Sequence, residues 1–530
     1  MAVSGRLDAA AGLAVLACVA CVWLPRLQPR YSLHGYGAYA RDAAVPLQSP
    51  PPPSRHELRA DQGVWFRDAE GRRLLLRGVN LSGSSKFPVH KATHVTAGFY
   101  DTSDVSFVDR PFPLAEADEH FARLRAWGLT LVRLLVPWEA VEHKGPGEYD
   151  EVYLDYLLAI VRKAKAYDIA CFIDPHQDVW SRWTGGDGAP AWTLDRVGFD
   201  IRTLHASGAA FSHQGHILET HGSVPLPQMT WASNHHRLAC GTMFTLFFAG
   251  RDFAPGLEID GQNVQDFLQG HYIAAMARVA QKLAAEDNVV GFDSLNEPNL
   301  GMVGWHDLRR GSRFLKQGPS PTWFESFQLG EGYATSVAYY NPTLVPAGTH
   351  TLNEQRVRAW KDGHGCVWKR HGVWGDASGV PVLLAEDYFK YRNAGGRRVR
   401  VCPERDYFVP FVLRFRAAID AAVRGAGQPR LLVFVDRNTS TEDASVGQYP
   451  RGARLSVHAP AACASCRGVP RALTPRLRRH RPLLRPCSVR GSGLGAALVR
   501  RGDAGAQVVP LVARGRPRAR VAAAAGAWQR

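Results

Sequence analysis

Apolar residues between Leu58 and Val435 follow two alternating rhythms, short continuous runs and stretches repeating at helical spacing. Val64 to Leu76 reads as a hairpin turning at Asp68 to Gly71, and it leads into a strand, Leu74 to Leu81. Ala117, Phe121 and Leu124 predict a helix from Leu114 to Trp127, closed by Gly128 and followed by the strand Leu129 to Val136. The unit repeats as helix Asp150 to Tyr167 with strand Ile169 to Asp174. After a long insertion it repeats again as helix Val264 to Glu286 with strand Val289 to Leu295. Helix Tyr407 to Arg424 then precedes strand Leu431 to Val435. Strands alternating with helices predict parallel βαβ units. None of these strands runs into a Gly-rich phosphate loop, which disfavours a doubly wound dinucleotide fold.

Polar side chains gather where the strands end. The second strand carries Arg133 and ends at Trp138-Glu139, the third ends at His176-Gln177-Asp178, and the fourth at Asn296-Glu297-Pro298. Chemistry collected at the carboxyl ends of successive parallel strands is the arrangement of a (β/α)8 TIM barrel, the expected fold here. A carboxylic acid beside a carboxamide can protonate a leaving oxygen while the amide grips a hydroxyl, which nominates Glu297 and Asn296. Arg133 on a buried strand requires partner carboxylates, and His176 with Asp178 suits vicinal hydroxyls. Trp138, Trp180, Trp183 and Trp192 lie nearby, with one or two expected to stack on a sugar and the others to fill the core.

Four segments carry a family resemblance. They are Leu76 to Lys86 (LRGVNLSGSSK), Asp174 to Arg182 (DPHQDVWSR), Cys240 to Gly250 (CGTMFTLFFAG) and Ser294 to Asn299 (SLNEPN). In this order they resemble glycoside hydrolase family 5 of clan A, in the branch of fungal steryl-β-glucosidases and glucosylceramidases related to endoglycoceramidases. The resemblance implies a retaining β-glucosidase acting on glycolipids, either a steryl glucoside such as ergosteryl glucoside or glucosylceramide. It also implies that Glu297 is the general acid/base, that Arg133 supports the carboxylates, and that Lys86, His176, Asp178 and Asn296 contact the glucose unit. No metal or cofactor is expected.

The same pattern demands a nucleophilic Glu at the end of a seventh strand, yet Leu431 to Val435 counts as the fifth and the resemblance stops past Asp436. No nucleophile is identified. Glu386 ends a short apolar run but precedes the fifth strand, and Glu442 lies in a polar segment with no strand before it. The expected fold is therefore an incomplete barrel of about five βα units, spanning 55–436 and followed by a non-homologous, disordered tail, 437–530.

Composition sharpens that division. The chain of 530 residues has a formal charge of +16, and residues 450–530 hold 17 Arg, no Lys and Asp503 as their single acid. The rest of the chain is neutral, so the charge implies no acidic partner for the barrel. That tail also lacks Ile, Phe, Tyr, Met, Asn and Glu, and is expected to be an out-of-frame reading of a G/C-rich gene, with a genuine basic tail as the alternative. Trp528 is its only aromatic residue, so base stacking has no support and no nucleic-acid partner is expected. A non-catalytic glycolipid-binding remnant is the main alternative to an enzyme.

Nine Cys show neither disulfide-scaffold density nor zinc-ligand spacing. Residues 1–54 are expected to be an apolar segment, Ala9 to Leu24, and a Pro-rich linker. The apolar run, read as a signal anchor, favours membrane association, while intracellular lipid turnover fits the resemblance equally well.

Overall fold

The computed structural model describes residues 59–60, 66–424 apart from 69, 82, 93, 227–228, 230 and 313–315, then 431–436, 496–502 and 505–511. The N-terminal apolar run, the Pro-rich linker, Glu442 and most of the Arg-rich tail lie outside them. No described helix is long and apolar enough to cross a membrane.

Five parallel strands form the centre: β1 (Gly78–Leu81), β2 (Leu131–Leu135), β3 (Ala170–Asp174), β4 (Val289–Asp293) and β5 (Leu432–Val435). They pair in chain order, with Asn80 beside Arg133, Leu135 beside Asp174, and Asp293 beside Phe434. All five predicted strands are present, each trimmed where its terminal residues turn into a loop. The predicted strand Leu74 to Leu81 is divided, because Leu74 pairs with Phe66 in the N-terminal hairpin and the parallel pairing starts only at Gly78.

Helices α1 (Ala117–Ala126), α2 (Glu151–Ala166), α3 (Leu238–Phe253), α4 (Val264–Lys282) and α5 (Val409–Ala422) contribute to the main core on one face of the sheet. Asp150 caps α2 by accepting from the Tyr153 N–H at 2.9 Å, and Asn263 caps α4 through the Gln265 N–H at 3.0 Å. The buried Asn288 amide donates to the carbonyls of Val161 and Ile169, tying α2 to the start of β3. Helix α3 falls inside the stretch read as an insertion. Its residues from Leu238 to Gly250 are all buried, so it has no polar face and hence no amphipathic period to detect.

Side-chain alternation gives the sheet two different faces. One carries Val132, Leu134, Cys171, Ile173, Val433 and Val435 into the main core under the helices. The opposite face holds Ala170, Val290, Leu432 and Phe434, packed with Phe66, Leu74, Leu131 and Phe172. Phe172 stacks on Phe434 at 4.6 Å between ring centroids. Continued towards the carboxyl ends of the strands, this second face becomes charged.

Beyond β5, a hairpin of β6 (Ala496–Gly502) and β7 (Gly505–Leu511) pairs antiparallel with it, Val433 standing beside Val499. The sequence reading placed no strand in this segment. In their register Leu498 stands opposite Val509 and Val499 opposite Val508.

Candidate active site

Arg133 is the hub of the charged end of the sheet. Its Nη2 lies 2.9 Å from Asp174 Oδ1, 3.3 Å from Asp293 Oδ2 and 3.4 Å from Asp436 Oδ2, and it donates to Asn296 Oδ1 at 2.7 Å. Asp174 and Asp293 end β3 and β4 and Asp436 directly follows β5, on the face that carries Arg133, so one alternation brings all four groups together. Burial, reinforced by Asp436 and Asp174, holds the Asp293 carboxyl well above the usual range despite the guanidinium. Burial raises Asp436 too, opposed by Arg133. None of the three aspartates was singled out from sequence, although each directly follows a buried apolar run.

Asn296 is fixed on both sides. Its Nδ2 donates to the Gln177 carbonyl at 2.9 Å, and its own carbonyl accepts from Gln177 Nε2 at 2.8 Å. Glu297 follows with φ of 36°, in the left-handed region, and its N–H donates to Asp436 Oδ2 at 3.3 Å. Its carboxyl is raised above the ordinary glutamate range first by burial, then by the charges of Asp178 and Asp436. A carboxyl raised in this way holds its proton more readily, which suits a proton donor.

A second cluster faces it. Lys86, on the single turn Gly83–Lys86 after β1, bonds Asp178 and lies 3.8 Å from Asp187. His176 Nδ1 pairs with Asp174 at 2.7 Å, and its Nε2 is 3.6 Å from Asp178. Burial opposes charge on this imidazole, but Asp174 and Asp187 outweigh it and raise His176 to about 10. Asp178 is driven low: burial works against its charge, and the His176 hydrogen bond and Lys86 overcome it. Asp187 goes the other way, held well above the usual range by burial and the neighbouring Asp178. The last two residues also exchange both main-chain hydrogen bonds, each at 3.0 Å.

His176, Asp178 and Asp187 present ligand atoms within 4.8 Å of one another, a spacing a divalent cation accepts. The Lys86 ammonium already sits against two of them. The cluster is thus an ion-paired set of hydrogen-bond acceptors and donors.

All six residues singled out from sequence thus meet at one end of the sheet, and Asp174, Asp187, Asp293, Asp436 and Gln177 join them. The tryptophans do not act as platforms. Trp138, Trp180, Trp183 and Trp192 are each buried, Trp138 standing edge-on to both Trp180 and Trp192. Trp138 and Trp180 wall a small void behind His176 and Gln177, so their contribution is to the packing beneath the site. Glu139 is spent on a buried pair with Arg182 at 2.9 Å, and Glu386 is exposed and paired with Arg309. Among the described residues, the carboxylates acting on Glu297 are Asp178 and Asp436.

Residues 96–204 match the family described as cellulase, glycosyl hydrolase family 5. A glucosylceramidase of Rhizopus delemar is 43% identical over 386 residues, covering 70% of this chain and 55% of that protein. An ergosteryl-beta-glucosidase of Saccharomyces cerevisiae is 36% identical over 389 residues, covering 64% of this chain and 51% of that protein. The crystal structure of Cryptococcus neoformans sterylglucosidase 1 is similar with a TM-score of 0.67 at 37% identity, over 73% of this chain and 57% of that one. The chain spans about half the length of these relatives. Parallel strands with a raised carboxyl and an ion-paired cluster at their carboxyl ends, together with these likenesses, lead to one assignment: the chain carries a glycosyl hydrolase family 5 domain.

Proposed function

We propose that this site is the acid and sugar-binding half of a retaining β-glucosidase acting on glycolipids. The observation that carries the reading is the raised, half-buried carboxyl of Glu297 at the end of β4, facing the Lys86, His176 and Asp178 cluster. In this reading Asn296 and the cluster hold the hydroxyls of a glucose unit. Glu297 gives its proton to the glycosidic oxygen as the bond to the anomeric carbon breaks, and the alcohol departs neutral. The relatives named for glucosylceramide and for ergosteryl glucoside share this glucose head, so the sugar side of the site serves either aglycone. Both are membrane lipids, which supports a reaction at a lipid surface.

Retention requires a second carboxylate about 5 Å from the acid. Asp178 and Asp436 are already engaged, by Lys86 and by Arg133. That observation favours a second reading, a glycolipid-binding remnant without turnover. An external nucleophile separates the two. With sodium azide, a site holding a working acid and no nucleophile of its own transfers glucose from a steryl β-glucoside to azide. The nitrogen bonds the anomeric carbon with inversion, giving the α-glucosyl azide, while the sterol oxygen takes the Glu297 proton. We expect this product and its loss in Glu297→Gln by a factor of about 100 or more. Sugar binding with no product from any leaving group would establish the remnant.

A further inference from the structure

Gln177 lies between two backbone segments in left-handed conformations. Val179 and Trp180 have φ of 45° and 85° on one side, and Glu297 has φ of 36° on the other. Residues with a Cβ resist this region, β-branched Val most of all, at a cost of about 1–3 kcal/mol each, so surrounding contacts must hold them there. The Gln177 side chain makes those contacts. Its Oε1 accepts from the Trp180 N–H at 3.0 Å, and its Nε2 donates to the carbonyls of Asn296 at 2.8 Å and Glu297 at 3.2 Å.

The amide orientation follows from the partners, since a flip would set oxygen against two carbonyls and nitrogen against an N–H. Gln177 is 5% exposed and has no room to swing. A Cβ on Gly188 would stand 2.5 Å from the Gln177 Cβ, so bare backbone is packed directly behind it. A carboxylate in place of this amide would lose both donated bonds, and a shorter amide could not span the gap.

We propose that Gln177 is the positioning residue for the acid: it ties the left-handed turn after Asp178 to the left-handed turn at Glu297 and so aims the Glu297 carboxyl. This rests on the reading of Glu297 as proton donor. The amide is consumed by main-chain groups, so Gln177 works through Glu297 without touching substrate. The raised pKa of the Glu297 carboxyl, which depends first on its burial, is a property that this placement maintains.

The test uses the full chain with Gln177→Met and Gln177→Asn, and azide as acceptor. Transfer from a steryl glucoside, whose poor leaving group needs the proton, should fall by a factor of about 100 in both variants. Transfer from 2,4-dinitrophenyl β-glucoside, which leaves without protonation, should change by less than about 3-fold. Equal losses on both substrates, or none, would overturn the proposal, because a merely structural residue does not discriminate between leaving groups. A second arm reads the same question without turnover: with ¹³C-labelled glutamate, the Glu297 carboxyl should titrate at lower pH in Gln177→Met than in the parent. If the parent forms no glucosyl azide from either donor, the enzymatic reading fails. The titration then decides the role of Gln177 by itself, and an unmoved midpoint defeats it.

Discussion

Arg133 and Asp436 meet at 3.4 Å although 303 positions separate them in the chain. Arg133 stands in the middle of β2 and Asp436 directly after β5, and Asp436 accepts from the Glu297 main-chain N–H. The guanidinium thus links the charged floor of the site to the segment bearing the acid.

Replacing Arg133 with Met should destabilise the fold by about 3–5 kcal/mol, because the remaining carboxylates lose their buried counter-charge. Asp293 and Asp436 are already raised above the usual range, so their protonated forms are favoured in the fold and their ionisation opposes it as pH rises. The loss should therefore be larger at about pH 7.5 than at about pH 5 in urea denaturation. A pH-independent loss would mean that Arg133 acts only by packing.

Asp436→Asn should shift the titration of Glu297 downwards. The Asp436 charge is one of the causes that raise Glu297, after burial and Asp178, and an Asn can still accept from the Glu297 N–H. Glutamate carboxyl NMR across the pH range checks this, and an unchanged midpoint would show that burial alone sets the acidity.

His176 should stabilise the protein as an imidazolium. Its folded value of about 10 lies above the ordinary 6.5, so the contribution is complete below 6.5 and fades as pH rises towards 10. Denaturation of the parent and of His176→Gln should differ most at about pH 6 and converge by about pH 10. A gap that widens with pH would contradict a charged His176.

Gly241→Ala should cost about 1–3 kcal/mol of stability. A Cβ there would lie 2.3 Å and 2.4 Å from two Trp323 ring carbons, with helix backbone on its other side. Trp323→Leu should be destabilising alone yet recover part of the loss in the double variant, giving a non-additive thermal cycle.

The strands were legible because buried parallel strands are continuous apolar runs, and α1, α2, α4 and α5 because their apolar residues recur at helical spacing. Helix α3 has no such signal, being buried all round. Within the site, Glu297, Asn296, His176 and Asp178 were found because each lies in a motif following a recognisable strand. Asp174, Asp293 and Asp436 were missed for a physical reason: an aspartate at a strand end looks the same whether it meets water or an arginine from another strand. Gln177 was in view within its motif, but its partners are main-chain atoms, which a sequence does not display. The tryptophans misled because clustering near strand ends does not reveal whether an aromatic faces a ligand or its neighbours.

The crowding of Asp174, Asp293 and Asp436 around one guanidinium also has a thermodynamic signature. Carboxyls raised by their neighbours take up or release protons when those neighbours change, and in the proposed function a sugar settling over Asn296 and His176 changes them. Heats of binding measured in phosphate and in Tris will then differ by the enthalpy of buffer ionisation, and the difference counts the protons that this end of the sheet takes up or releases.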